Sequence, residues 1–279
     1  MHPQLFIILM VEIHSFNLFG FKSSYNQFCI NKFNVKERGT VIVSHYFSSE
    51  FYKFSIEKNF IHLCMIRDKK IALETARYLL QINAIKLNTK NPFQWASGWK
   101  SPIYCDNRIA LYFPEVRNHL CDQLVDQARV IYGEKFVVAG VATGAIGIGV
   151  LVANAMGLPF LYVRPQPKSH GRKNQIEGQL DIGAKVLVIE DLISTGKSSL
   201  GAVRVLQDAG AEVLGMLALF TYNFEISNQN FSKAAVPLNT LSDYDHLIKE
   251  AVSSDYIEQE DMELLRSWRS NPTKWNTDQ

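Results

Sequence analysis

Between Phe136 and Phe220 the chain alternates apolar runs with helix-forming segments, and this order constrains the fold more than any other feature. Phe136-Val-Val-Ala-Gly-Val141 reads as a buried strand, residues 144–156 as a helix of small and aliphatic residues, and Pro159-Phe-Leu-Tyr-Val163 as a second strand. A polar, glycine-bearing, cationic segment follows over 164–180. Lys185-Val-Leu-Val-Ile-Glu190 is a third strand, 196–209 a helix ending at Gly210, and Glu212-Val-Leu-Gly-Met-Leu-Ala-Leu-Phe220 a fourth strand. Parallel strands need crossovers, and helices between strands supply them. The expected fold class is therefore α/β, with a mostly parallel central sheet flanked by helices.

The flanks complete one domain over 65–279. Ile71, Leu73, Ala76, Leu79 and Leu80 form a helical apolar stripe that ends near Asn83. Residues 85–108 read as short strands and turns punctuated by Pro92, Gly98 and Pro102. Pro114 opens a helix with Val116, Leu120, Leu124, Val125 and Ala128 on its apolar face, and Gly133 ends it. The tail holds a short strand at 236–240 and helices near 243–252 and 258–268. A small N-terminal α+β subdomain on the central sheet is the expectation. There is no internal repeat and no low-complexity tract.

Residues 1–64 differ from the rest. They contain no Ala, Asp or Trp but 10 of the 17 Phe, without sustained period 2 or 3.6. Leu5–Val11 is apolar, but no cation precedes it, no small-residue cleavage site follows, and Glu12 and His14 break it. It is too short for a membrane span, which needs about 20 apolar residues. Val41-Ile-Val-Ser-His-Tyr-Phe47 reads as a short strand without an evident partner. The expectation is that 1–64 is a non-native or poorly ordered extension and Met65 the functional start, the rival being a lineage-specific extension. These residues carry 6 Lys+Arg and 4 Asp+Glu, which leaves 23 of each for 65–279. The formal net charge of +2 thus belongs to the extension, and no affinity for polyanions is forced on the remainder. Cys29, Cys64, Cys105 and Cys121 form no CxxC pair, which argues against a zinc ribbon or dithiol centre and fits free thiols in a reducing compartment, so a cytoplasmic location is expected.

The segment Val186-Leu-Val-Ile-Glu190-Asp191-Leu192-Ile193-Ser194-Thr195-Gly196-Lys197-Ser198-Ser199 carries the strongest chemical signal. A strand ends in two acids, and a Ser/Thr/Gly turn opens a helix. Ligands of open α/β sheets bind beyond the carboxyl ends of the strands. A helix N-terminus offers free N–H groups and the positive end of a dipole, which suits phosphate. Two carboxylates beside an anion site would repel phosphate unless they face sugar hydroxyls or a cation. A phosphorylated sugar with Mg2+ satisfies both demands. Gly196-Lys-Ser is not a P-loop, since Asp191 stands where that motif needs its first Gly.

Three further segments bear on function. Arg164-Pro-Gln-Pro-Lys168-Ser-His170-Gly-Arg172-Lys173 holds five potential cations in ten residues, and alone reads as a solvated basic loop. Beside a sugar-phosphate site it can close over a diphosphate and neutralise its charge. Gly140-Val-Ala-Thr143-Gly144-Ala-Ile-Gly147-Ile-Gly149 follows a strand but is not GxGxxG; it reads either as a packing turn or as a phosphate loop. Phe93-Gln-Trp-Ala-Ser97-Gly98-Trp-Lys100-Ser101-Pro102-Ile-Tyr104-Cys-Asp106-Asn107-Arg108 alone reads as a surface turn. His119 and His246 read as structural, and Cys105 and Cys121 as packing residues.

The Glu190–Ser199 segment closely resembles the phosphoribosyl-diphosphate (PRPP) signature of type I phosphoribosyltransferases. The resemblance covers about residues 66–270 and implies that Glu190 and Asp191 take the ribose hydroxyls and residues 193–198 the 5′-phosphate. Residues 140–149 resemble the family's pyrophosphate loop, which assigns diphosphate contacts to Thr143 and Gly144. The Arg164…Lys168-x-His170-Gly…Gly178 pattern resembles the catalytic loop of the orotate phosphoribosyltransferase members, assigning diphosphate contacts to Arg164, Lys168 and His170 and implying a homodimer in which the loop acts across the interface. Ser97-Gly-x-Lys100-Ser-Pro-Ile-Tyr104 resembles the base-covering motif of the same members, which places Ser97 and Lys100 at orotate, and Ser194 is placed there by its own family position. The chain departs from the pattern in three places. Pro165 and Gln166 stand where a second loop Lys is common, Ala96 where some members carry Lys, and Tyr222 or Asn223 where some carry an orotate-binding Arg.

The resemblance implies transfer of the phosphoribosyl group of PRPP to orotate, with Mg2+, giving orotidine 5′-monophosphate and pyrophosphate in pyrimidine (UMP) biosynthesis. Lys168, His170 and Asp191 are the implied catalytic residues, and the substrates are orotate and PRPP, without nucleic acid or membrane. A decarboxylase domain does not fit in the extension or the tail, so a monofunctional enzyme is expected. The alternative from another class is a PRPP-sensing, nucleic-acid-binding regulator on the same fold. Balanced charge after Met65 and the Ser97–Tyr104 segment speak against it.

Overall fold

The computed structural model describes residues 33–36, 40–43, 54–56, 65–95, 98–166 and 174–275. The chain forms two compact units, Met1–Lys58 and Asn59–Gln279. In the first, β1 (Phe33–Lys36), β2 (Thr40–Val43) and β3 (Phe54–Ile56) form an antiparallel sheet in the order β1-β2-β3. Val41, which showed no evident partner in the sequence, lies opposite Val35 on one side and Ile56 on the other.

The second unit is built on a sheet in which the described residues place seven strands. These are β4 (Met65–Ile66), β9 (Val137–Val141), β10 (Phe160–Val163), β11 (Ile176–Glu177), β12 (Lys185–Ile193), β13 (Glu212–Thr221) and β14 (Leu238–Asp243), in the order β11-β10-β9-β12-β13-β14-β4. All neighbours run parallel except the edge pair β10–β11. This is the expected α/β architecture, with two strands, β4 and β11, too short for the sequence pattern to show.

Alternate residues of β12 enter opposite cores, as the two-residue period of a strand requires. Leu187 and Ile189 join a core formed with α1 (Lys69–Gln81), α2 (Pro114–Tyr132), α3 (Ala145–Met156), α6 (Tyr244–Ser253) and α7 (Asp261–Ser270). Val186 and Val188 join a second core with α4 (Lys197–Asp208) and α5 (Glu225–Ala234). Both faces of the sheet are thus covered, which is why its strands read as continuous apolar runs. Pro114 does open α2, and Gly133 ends it at φ 81.

Between α1 and α2 lie two small hairpins, β5 (Ile85–Leu87) with β8 (Ile103–Cys105), and β6 (Phe93–Gln94) with β7 (Lys100–Ser101), followed by a 3-10 helix at Asn107–Tyr112. Trp95 anchors them. Its Nε1 donates to the Ile103 carbonyl at 3.0 Å, and its ring lies 5.3 Å from Tyr222 and 5.6 Å from Trp268. The subdomain therefore sits at the carboxyl end of β13, on the side where the sheet's loops gather.

Candidate active site

The carboxyl ends of β9, β12 and β13 bring together Thr143–Gly144, Asp191–Ser194 and Tyr222–Asn223. Strand β12 runs three residues past Glu190, so the acid pair lies on the strand itself. The pairing of Glu190 with Ala218 and Leu192 with Phe220 fixes its direction.

The two acids have different surroundings. Glu190 is only 5% exposed, and both its oxygens are taken: Oε1 accepts the Asp191 N–H at 3.0 Å and Oε2 the Ser199 hydroxyl at 2.8 Å. Burial, with the Asp191 charge next, pushes the Glu190 carboxyl well above the usual carboxylate range. Glu190 is thus turned inward, and Asp191, half-buried, is the acid at the open side. Of the two acids expected at the sugar, Glu190 is held by burial and two internal hydrogen bonds, and Asp191 is the more open. Asp191 is itself positioned by distant residues. Its carbonyl accepts the Asn107 side-chain amide at 2.6 Å, and its carboxylate lies so near Gly144 that a β-carbon there would overlap it.

Beyond Asp191 the chain turns into α4. Gly196, at φ 75, makes the turn, which favours glycine because L side chains clash there. The Phe231 ring of α5 supports it from below, close enough that a β-carbon on Gly196 would stand 2.7 Å from the ring. Asn230, also on α5, donates to the Thr195 carbonyl at 2.9 Å. Gly196, the N-cap of α4, brings no side-chain cap, and the Thr195 hydroxyl accepts the Lys197 N–H at 3.5 Å; a helix start of this kind can receive an anion. Ser194 and Thr195 are half-buried, and Lys197 and Ser198 are exposed.

The remaining candidates divide. Thr143 is exposed and Gly144 half-buried at the start of α3, after a cis peptide between Ala142 and Thr143. Arg164 pairs with Glu177 at 3.5 Å, and its main chain is tied to Gln175 by N–H to carbonyl at 2.8 Å and side-chain amide to carbonyl at 3.1 Å. These bonds close the base of the loop that carries Lys168 and His170. Lys168, His170 and Ser97 lie outside the described residues. Lys100 is exposed on β7, pairing with Gln94.

Tyr222 is 2% exposed, stacked on Phe224 at 5.3 Å and edge-on to Trp268 at 5.8 Å. It is a core residue, so of the two candidates for the place of the missing Arg, only Asn223 is partly open. Asn223 has φ 53, and its side-chain oxygen accepts from Asn228 at 3.0 Å. His119 and His246 are structural as expected: His119 lies against Tyr78 at 4.8 Å, and His246 Nδ1 sits 2.7 Å from Asp243. Asn107, Ser199, Asn230 and Phe231 carry the site from behind and were not singled out for this in the sequence. Asn107 and Ser199 stood within quoted motifs, but no local pattern reveals a contact spanning 84 residues.

Among the described residues no group of three or more His, Cys, Asp or Glu could hold a metal. With Glu190 engaged, Asp191 is the carboxylate left for a cation. That suits Mg2+ carried mainly by substrate phosphates, the usual habit of an ion that keeps few protein ligands.

A family model for the phosphoribosyl transferase domain matches residues 115–245. With the parallel sheet, the acid pair and the capless α4 turn, this defines a type I phosphoribosyltransferase domain. An orotate phosphoribosyltransferase from Cytophaga hutchinsonii is 53% identical over 202 residues, covering 72% of this chain and 97% of that enzyme. One from Listeria monocytogenes is 48% identical over 205 residues, covering 74% and 98%. The chain belongs to the orotate phosphoribosyltransferase family. In structure it is similar to the orotate phosphoribosyltransferase of Aeropyrum pernix, at a TM-score of 0.57 and 26% identity over 66% of this chain and 99% of that one. It also shares its fold with 42% of the UMP synthase chain of Leishmania donovani, at a TM-score of 0.60.

Proposed function

We infer that the chain transfers the phosphoribosyl group of PRPP to orotate, giving orotidine 5′-monophosphate and pyrophosphate, a pentosyl transfer of pyrimidine biosynthesis. One observation carries the reading: a half-buried Asp191 and an uncapped, hydroxyl-lined helix start lie five residues apart at the carboxyl end of β12, in a chain of this family. The relatives lend no support to a PRPP-sensing regulator.

The α4 turn, residues 193–198, binds the 5′-phosphate through main-chain N–H groups and the hydroxyls of Ser194, Thr195 and Ser198, with Lys197 beside it. Asp191 holds the ribose hydroxyls, kept in place by Glu190 and Asn107. Thr143 and Gly144 face the diphosphate. Ser97, Lys100 and Ser194 contact orotate. The bond from C1′ to pyrophosphate breaks, positive charge gathers on the ribose ring, and the orotate ring nitrogen bonds to C1′. Lys168 and His170 stabilise the negative charge of the departing group, and Arg164 exchanges Glu177 for it. Asp191 is the residue that would hold Mg2+ beside the diphosphate, where the ion would offset the charge of the leaving group. The loop 164–178 acts across a homodimer interface. Free thiols at Cys105 and Cys121 support a cytoplasmic location.

Mixing the protein with PRPP, Mg2+ and orotate and following orotate absorbance tests the reading. Loss of orotate is expected; loss of another base instead would overturn it. Lys168→Ala lowers kcat far more than it lowers the melting temperature, and a variant with full turnover would remove Lys168 from the mechanism.

A further inference from the structure

Helices α4 and α5 lie side by side over one face of the sheet, and a groove of about 670 Å3 opens between them. That volume is typical of small-molecule sites, which run ~300–1,000 Å3. Lys197 and Arg204 enter it from α4 and Lys233 from α5, and no acid lines it. Among the described residues none of the three makes an ion pair. Single unpaired cations are ordinary on a surface. Three from two helices, converging on one concavity without a carboxylate, focus a positive potential that a multiply charged anion would satisfy.

The groove is not only cationic. Ile226 stands 47% exposed at its wall over a floor of Leu200 and Val203. An inorganic anion would leave that apolar surface wet. The side-chain amides of Gln207 and Asn230 add hydrogen-bonding groups beside it. From Lys197 to Gln207 the wall runs ten residues of helix, roughly 15 Å. Such a lining suits a ligand with several negative charges joined to a partly apolar body with polar edges.

We propose that the α4–α5 groove binds a nucleoside polyphosphate, with its phosphates on Arg204 and Lys233, its base against Ile226, and Lys197 at the border with the phosphate turn. The site adjoins the phosphate turn but follows the flank of α4, whereas the turn presents the helix start. The two share one wall, the Asn230 bond to the Thr195 carbonyl.

Calorimetric titration of the full chain with ATP, UTP and inorganic triphosphate tests this, with and without saturating orotidine 5′-monophosphate. A nucleoside triphosphate is expected to bind one per chain in both conditions. Arg204→Glu with Lys233→Glu weakens it at least tenfold while kcat and the KM for PRPP stay within twofold. Ile226→Ser weakens the nucleotide more than fivefold and inorganic triphosphate less than twofold. No binding, displacement by orotidine 5′-monophosphate, unchanged affinity in the charge-reversed variant, or inorganic triphosphate binding as tightly as the nucleotides would each overturn the proposal. If the wild-type protein fails to consume orotate, the transferase reading falls while the effect of charge reversal on nucleotide binding still decides the groove.

Discussion

Three separate pieces of chain converge on one carboxylate. Glu190 holds the Asp191 N–H, Asn107 holds its carbonyl, and Gly144 leaves the space its side chain occupies. Gly144 has ordinary helical dihedrals, so Gly144→Ala adds no backbone strain and acts through the carboxylate it displaces. Displacements of about 1 Å can cost 10²-fold in rate. Gly144→Ala is therefore expected to lower kcat/KM for PRPP by ~10- to 100-fold with little change in melting temperature, read by initial rates and thermal denaturation. The adjacent acids were legible in the sequence because a strand ending in two carboxylates before a Ser/Thr/Gly turn is itself unusual. Their division of labour was not, because burial separates residues 190 and 191 and burial depends on the whole fold. His119 supplies a prediction about pH. Burial lowers its pKa below the ordinary value, and its Nε2 is buried without a partner. The unfolded chain therefore binds the proton more readily, so stability is present above the ordinary histidine value near 6.5 and falls as pH drops from there through the lowered folded value. His119→Phe flattens this part of the profile, measured as urea midpoints between pH 7.5 and 5.5; an unchanged slope would remove His119 as its source.

Helix α5 shows what an element can do without announcing itself. Glu225-Ile-Ser-Asn-Gln-Asn-Phe-Ser-Lys-Ala234 is rich in Ser and Asn, which are poor helix formers, and has no 3.6-residue apolar stripe. The helix exists because Phe231, 1% exposed, closes the second core. The same turn of α5 supports Gly196 and bonds Thr195, so it fixes the phosphate turn from the outside. A typical hydrogen bond contributes ~0.5–1.5 kcal/mol. Asn230→Ala is expected to raise the KM for PRPP several-fold, with the KM for orotate within twofold, in steady-state kinetics with each substrate varied. Equal rises in both would place the effect elsewhere. The longer elements were readable for the opposite reason. Strands β9, β12 and β13 are apolar on both faces, α1 and α2 carry clear stripes, and Pro114 and Gly133 mark the ends of α2. The two-residue strands β4 and β11 have no pattern of their own; neighbouring strands define them.

On the scale of the molecule, the alternation of strands and helices carried the architecture, since parallel strands covered on both faces admit few connections. The composition break near residue 64 carries the remaining question. The two compact units divide between Lys58 and Asn59, six residues before Met65. Met65 and Ile66 form the outermost strand of the catalytic sheet, opposite Asn239 and Thr240. From Lys69 onward α1 adds Ala76, Leu79 and Leu80 to the larger core, and Ala72 accepts the Ser242 hydroxyl at its carbonyl, 2.8 Å away. We propose that residues 65–279 are the catalytic domain. A protein of residues 65–279 keeps every strand of the sheet, both cores and the Trp95–Tyr222–Trp268 contact that seats the hairpins. It is expected to unfold in one cooperative urea transition and to consume orotate with kcat/KM within twofold of the full chain. A start at residue 69 removes β4 and exposes the edge of β14, whose main chain then has no strand partner on that side. A typical hydrogen bond contributes ~0.5–1.5 kcal/mol, so this shorter protein should lose stability measurably while its reaction site, three strands away at the end of β12, keeps its kinetics. Loss of turnover already at residue 65 would instead give residues 1–64 a part in the enzyme.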